Sequence, residues 1–172
     1  MLGLGHAILT GEPLIGAQPF GVVLSDDLCL NRHGPGVLSQ MAALYREFEC
    51  SIVAVQEVPM QEIDKYGVIA GTAERTGLTR VTEMVEKPPQ DEAPSNLAVI
   101  GRYILTPDIF DIIRSTPPGR NGEVQLTDAL QVQASEGRVL AYQFDGLRFD
   151  CGSVPGFVEA TQHVYEHYYG QS

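Results

Sequence analysis

Basic charge is scarce in this sequence. Its 172 residues hold eleven Lys and Arg against twenty-two Asp and Glu, a formal charge of −11, and Lys65 and Lys87 are the only lysines. Most faces of such a chain repel a nucleic-acid backbone or an anionic membrane surface, so neither is an expected partner. A phosphate-bearing ligand then needs a local cationic pocket, and either lysine stands out as a point charge with a specific task. Cysteine is scarce too: Cys29, Cys50 and Cys151 are widely spaced, odd in number and without a C-x-x-C pair. That argues against a disulfide framework or a zinc site and points to the reducing cytoplasm. No apolar run approaches the roughly 18 residues of a membrane span. Met1 to His6 lack the basic stretch and apolar core of a secretory signal. No repeat, linker or composition shift divides the chain, so one domain is expected over residues 1–172.

A composition of 44% hydrophobic and 19% charged residues suits a packed globule. Short apolar runs alternate with amphipathic stretches, the pattern of an α/β or mixed sheet. A glycine turn at Gly3 to Gly5 feeds a short helix ending at Gly11. Strands are predicted over 20–25, 50–58, 66–70, 78–86, 97–105 and 139–144, and helices over 37–48, 124–134 and 153–169. Another helix is predicted to start at Thr106, with Thr as N-cap and Pro107 at its first position. In the last helix, Phe157, Ala160, His163/Val164 and His167/Tyr168 fall on one stripe.

Few residues offer chemistry, and each has a plainer reading. Asp26 and Asp27 follow a buried strand, where ligands collect in open α/β sheets; they suit a hard cation such as Mg²⁺ or simply cap a turn. Glu86 and Lys87 close a strand before Pro88. The carboxylate can accept sugar hydroxyls and the ammonium can hold a phosphate, unless both are solvated charges at a strand end. Alternation sends them to opposite sides unless the strand stops between them. Asp150 precedes a glycine turn, as an acid of the site or as a helix-entry cap. Gly3 and Gly5 allow close approach to a ligand or merely serve the turn. His163 and His167 lack the H-E-x-x-H glutamate and read as a helix face, and Cys151 as a small packing residue.

Taken together, Gly3-Leu4-Gly5-His6-Ala7, Leu24-Ser25-Asp26-Asp27, Tyr66-Gly67-Val68, Val85-Glu86-Lys87-Pro88, Ala93-Pro94-Ser95-Asn96-Leu97-Ala98, Gly101-Arg102-Tyr103, Gln125-Leu126-Thr127-Asp128 and Asp150-Cys151-Gly152 resemble, in order, the motifs of bacterial UTP–glucose-1-phosphate uridylyltransferases. The resemblance covers essentially the whole chain. It implies an incomplete Rossmann-like nucleotidyltransferase mixed sheet flanked by helices. It also implies attack by glucose 1-phosphate on the α-phosphorus of UTP, giving UDP-glucose and pyrophosphate. By resemblance, Gly5 approaches the nucleoside, Asp26 holds Mg²⁺ with Asp150 as a second contact, and Glu86 binds glucose hydroxyls. Lys87 takes the sugar phosphate, and Tyr66 and Gly67 line the sugar pocket. The family's G-x-G-T-R loop and P-K-E-M lysine have no counterpart in the sequence. The chain alone is therefore expected to be impaired in transfer while keeping a sugar-phosphate, UDP-glucose and Mg²⁺ site. An uncovered sheet edge along Phe20 to Ser25 is expected to pair into a homodimer. The alternative is a non-catalytic interaction protein that uses this edge.

Overall fold

The computed structural model describes residues 2–119 and 122–170. Eight strands appear in chain order: β1 (Phe20–Val23), β2 (Asp27–Leu30), β3 (Ser51–Glu57), β4 (Gly67–Arg75), β5 (Leu78–Glu86), β6 (Leu97–Leu105), β7 (Val139–Gln143) and β8 (Leu147–Asp150). Six of them form one sheet in the order β1-β6-β3-β7-β5-β4, and β2 and β8 form a separate antiparallel ribbon. The sheet is mixed: β3 and β7 run parallel, while the other neighbours are antiparallel. The α-helices are α1 (Leu4–Thr10), α2 (Glu12–Ile15), α3 (Val37–Phe48), α4 (Ile109–Ser115), α5 (Leu126–Ser135) and α6 (Val154–Val164). A 3₁₀ segment spans Met60–Lys65, and a π turn, Tyr165–Tyr169, extends α6.

The strand period of two explains why the apolar runs are unbroken. Along β3, Val53 and Val55 enter one core with Ile109, Phe110, Leu126 and Leu130 of α4 and α5. Ile52 and Ala54, on the opposite face, enter a second core with Val37, Met41 and Leu44 of α3. A strand buried on both faces has no polar position to alternate with. In α3 the positions i, i+4 and i+7 are the buried ones, and its C-cap Glu49 takes the left-handed conformation as its N–H bonds the Tyr45 carbonyl at 2.8 Å.

Several elements depart from the sequence expectations. Neither β2 nor β8 was predicted, because four-residue strands carrying Asp27, Arg148 and Asp150 lack an apolar run. Helix α4 begins at Ile109 with Asp108 as its N-cap. The Thr106 hydroxyl does not cap it but lies inside, 3.2 Å from Ser51 Oγ and accepting from Gln133 Nε2 at 2.9 Å. Burial of Ser51 and Gln133 demands those partners more than the helix end does. The stripe on α6 does not face a core: Ala160 is buried, but Phe157 is 59% exposed.

Candidate functional site

The end of β1 leads through Leu24 and Asp26 into β2, and the β1-facing edge of β6 holds this corner. Asp27 Oδ2 accepts the Gly101 N–H at 2.8 Å, and Arg102 donates to the carbonyls of Leu24 and Asp27 at 3.2 and 2.5 Å. A Cβ on Gly101 would come within 2.5 Å of Asp27 Oδ2, so only glycine allows this approach. Arg148 Nε, from β8, donates to Asp27 Oδ1, and both side chains are about nine-tenths buried. Arg148 also donates to the Tyr66 hydroxyl at 3.2 Å and lies 5.4 Å from that ring's centroid. Asp27 is thus a structural anchor, paired in register with Asp150 across the ribbon.

This anchoring leaves Asp26 free to face Asp150. The position of a Cβ on Gly152 lies 3.3 Å from Asp26 Oδ2 and 3.1 Å from Asp150 Oδ1, so the two carboxylates converge on one spot. The Cys151 N–H holds the Asp26 carbonyl at 2.7 Å, and Asp150 Oδ1 accepts the Gly152 N–H at 3.1 Å. No cluster of three or more His, Cys, Asp or Glu side chains suited to a metal occurs among the described residues. Two carboxylates are a donor set that fits Mg²⁺, which completes its octahedron with water and phosphate oxygens.

The facing wall comes from β4, β5 and α5. Strand β5 stops at Glu86, and Lys87 turns into the left-handed region at φ 46°. That conformation is costly before a proline, and the bond from the Lys87 N–H to the Tyr66 carbonyl, 3.0 Å, holds it. The strand therefore ends between the two residues, and Glu86 and Lys87 line the same cleft, Lys87 Nζ standing 3.8 Å from Glu86 Oε1. The Thr127 hydroxyl, in the first turn of α5, donates to Glu86 Oε2 at 2.6 Å. Beside them Gly67 is bare where a Cβ would stand 3.1 Å from Thr127 Oγ1 and 3.2 Å from Glu86 Oε2.

These walls enclose a cleft of about 380 Å³. Asp26, Tyr66, Gly67, Glu86, Lys87 and Asp150 all line it, and so does Lys65; both lysines of the sequence share one cleft. Gly5 is the exception. Its N–H bonds the Val124 carbonyl at 2.9 Å, and a Cβ there would lie 2.8 Å from that oxygen, while its neighbour Leu4 reaches the cleft. Tyr103, Thr127 and Arg148 were missed from the sequence. Tyr103 lines the cleft, and burial pushes its hydroxyl well above the usual tyrosine range, with the carboxylates of Glu86, Asp27 and Asp26 adding to the effect. It stays a neutral donor at physiological pH. Its place within Gly101-Arg102-Tyr103 was the available signal.

Residues 1–167 match the nucleotidyl transferase family. The UTP–glucose-1-phosphate uridylyltransferase of Pseudomonas aeruginosa strain PAO1 is 65% identical over 169 residues, which are 98% of this chain and 61% of that protein. The enzyme of the same name from Staphylococcus epidermidis is 45% identical, over 92% of this chain and 54% of its own length. A crystal structure of UDP-glucose pyrophosphorylase complexed with UDP-glucose matches with a TM-score of 0.94 at 58% identity, covering 96% of this chain and 63% of the other. A UTP-bound enzyme from Acinetobacter baumannii gives a TM-score of 0.84 at 37% identity, over 98% and 58% of the two chains. The chain thus spans about three-fifths of the length of the P. aeruginosa relative. With its mixed sheet, its cleft and a match running through residue 167, this chain belongs to the nucleotidyl transferase family.

Proposed function

We propose that the cleft is the sugar-phosphate and Mg²⁺ half of a UTP–glucose-1-phosphate uridylyltransferase site and binds UDP-glucose. The observation that carries this reading is the turn at Lys87, which puts an acid for sugar hydroxyls and a cation for phosphate on one wall, opposite two converging carboxylates. In the reaction, a phosphate oxygen of glucose 1-phosphate forms a bond to the α-phosphorus of UTP as the bond to pyrophosphate breaks. Such transfer is accelerated by positioning and charge neutralisation. Glu86, oriented by Thr127, accepts hydroxyls of the sugar; the bare face of Gly67 leaves room for the ring beside Tyr66. Lys87 neutralises the sugar phosphate. Asp26 and Asp150 would hold Mg²⁺, which when bound would supply positive charge to phosphate oxygens. Gly5, behind Leu4, keeps the backbone of α1 close to the nucleoside end.

Calorimetric titration of the purified 172-residue chain with UDP-glucose tests the site. Saturable binding strengthened by Mg²⁺ is expected, with Lys87→Ala and Asp26→Ala each weakening it by about 1–3 kcal/mol, the range for a charge-assisted contact. No heat at millimolar ligand overturns the assignment. Because the sequence holds no G-x-G-T-R loop, this chain by itself is expected to bind without appreciable pyrophosphate release from UTP and glucose 1-phosphate.

A second reading rests on β1, an edge strand that among the described residues pairs with β6 alone and leaves Val23 54% exposed. Such an edge is a template for another strand, and we place a homodimer contact there. Sedimentation at micromolar concentration is expected to show a dimer that Val23→Lys dissociates; a strict monomer rejects it. Dimerisation with no UDP-glucose binding favours an interaction protein over an enzyme half.

A further inference from the structure

Three of the four histidines in the sequence border one surface region, away from the cleft described above. His33 follows β2, and His163 and His167 lie one turn apart at the end of α6. With Arg32, Asn31 and Tyr168 they line a second cleft of about 410 Å³. None of its lining residues is a carboxylate, and it shares none with the first cleft. In a chain of net charge −11 this concentration of cationic and ionisable nitrogen is the feature that calls for an explanation. Arg32 is exposed and belongs to no ion pair among the described residues; its guanidinium packs 5.8 Å from the centroid of Tyr168. The His163 ring is fixed between Phe149, at 5.0 Å, and His167, at 4.1 Å, and His167 Nδ1 lies 2.9 Å from the His163 carbonyl oxygen. The His163 and His167 imidazoles are therefore held by their ring faces and by one nitrogen, and among the described residues their other ring nitrogens have no hydrogen-bond partner.

We propose that this second cleft binds a tetrahedral oxyanion, the phosphate group of a small molecule. Arg32 supplies the permanent charge, and the histidines add charge and N–H donors as they protonate. The arginine also disfavours a metal ion held by the same imidazoles. The charged and titratable groups on the neighbouring elements are Glu159, Glu166 and Tyr168 on the helix and its π turn, Arg32 after β2, and Asp145 in the β7–β8 turn. No described carboxylate is ion-paired with an imidazole here. The ribbon connects the two clefts: Asp27 and Asp150 pair at one end, Leu30 and Leu147 at the other. Three residues of strand, about 10 Å, thus separate the anion site from the carboxylates proposed for Mg²⁺.

The Cε1–H resonances of the four histidines, followed by NMR in the full chain, test the proposal, with His6 on α1 as the internal control. Sulfate, dianionic throughout pH 6 to 8, is the probe for protein charge; inorganic phosphate and glycerol phosphate, at fixed ionic strength, tell a free anion from an esterified one. Saturable shifts of His33, His163 and His167 but not His6 are expected, with sulfate binding several-fold tighter at pH 6 than at pH 8. Arg32→Ala is expected to weaken binding about tenfold, the effect of losing one charge-assisted contact. Tighter binding of glycerol phosphate than of phosphate assigns an esterified ligand, and the reverse a free anion. Linear, unsaturated shifts, equal movement of His6, or affinity unchanged in Arg32→Ala overturns the proposal. A saturable response to micromolar Zn²⁺ with none to any oxyanion replaces it with a metal site.

Discussion

The six-stranded sheet and the β2–β8 ribbon are held together by different physics. The sheet is clamped between two apolar cores, so its interior strands are buried on both faces by Val, Ile, Leu and Ala. Burial of that kind is non-directional and is spread over dozens of side chains. The ribbon has little apolar cover: α6, packed against β8, buries Ala160 alone among its described residues. Its anchor is the Asp27–Arg148 pair, braced by Gly101 and Arg102 on β6. A few directional contacts therefore place the carboxylates that face the cleft, whereas the sheet is held by apolar burial spread over many side chains. The comparison teaches that the scaffold and the site of this protein fail in different ways.

Breaking the ribbon's anchor is the largest expected effect. Asp27→Ala leaves Arg148 buried without its partner, a loss of roughly 3–5 kcal/mol for a pair of this kind. Hydrogen exchange should show β2 and β8 losing protection while β3 and β6 keep theirs; uniform loss across both would erase the distinction between the two regions. In the sheet, Leu130→Ala removes a side chain that is 1% exposed and should cost about 2–5 kcal/mol in denaturant unfolding. UDP-glucose binding at saturating protein should survive that change, since Leu130, one turn beyond Thr127 on α5, does not itself line the cleft, and a parallel collapse of binding would show that core and site are not separable.

Smaller effects sharpen the comparison. Thr127→Val removes the hydroxyl that orients Glu86 and should weaken UDP-glucose binding by about 1 kcal/mol, with Thr127→Ser restoring it. Equal weakening in both variants would mean that the methyl group, and not the hydrogen bond, matters. The smallest effect belongs to Asp108 on the sheet side. Burial alone would raise its carboxyl, but hydrogen bonds from Thr106, Arg138 and Gln133 outweigh it and hold Asp108 below the usual aspartate range. A carboxyl depressed in the folded state contributes stability that is fully present above its unfolded pKa, about 3.9, and is lost as pH falls through the lower folded value. The thermal midpoint of wild type should therefore exceed that of Asp108→Asn at pH 5 to 7 and converge on it below pH 4. With both partners about 40% exposed, the gap should stay under about 1 kcal/mol.

The same division governs how much could be read in advance. The strands of the sheet were legible because a two-sided core demands unbroken apolar runs such as Ile52 to Val55 and Val139 to Ala141. Helix α3 was legible through Val37, Met41 and Leu44. Asp26, Glu86, Lys87 and Asp150 were legible as candidates through their motifs. Their plain alternatives stayed open, because a strand-end charge looks the same in sequence whether it faces solvent or a ligand. The ribbon was not legible: Asp27, Arg148 and Asp150 are polar residues whose pairing spans more than a hundred positions. Thr106 was assigned to a helix cap because local sequence shows the cap, not the buried Ser51 and Gln133 that compete for its hydroxyl.

The sequence by itself therefore determined the sheet-forming segments, the acidic balance and the identity of the polar residues at the strand ends, because periodicity and composition are local properties. Tertiary structure alone decided that Asp26 faces Asp150, that Glu86 and Lys87 share a wall, and that three histidines line one cleft with Arg32. Each of these depends on a backbone turn or a long-range ion pair that exists only once the chain has folded.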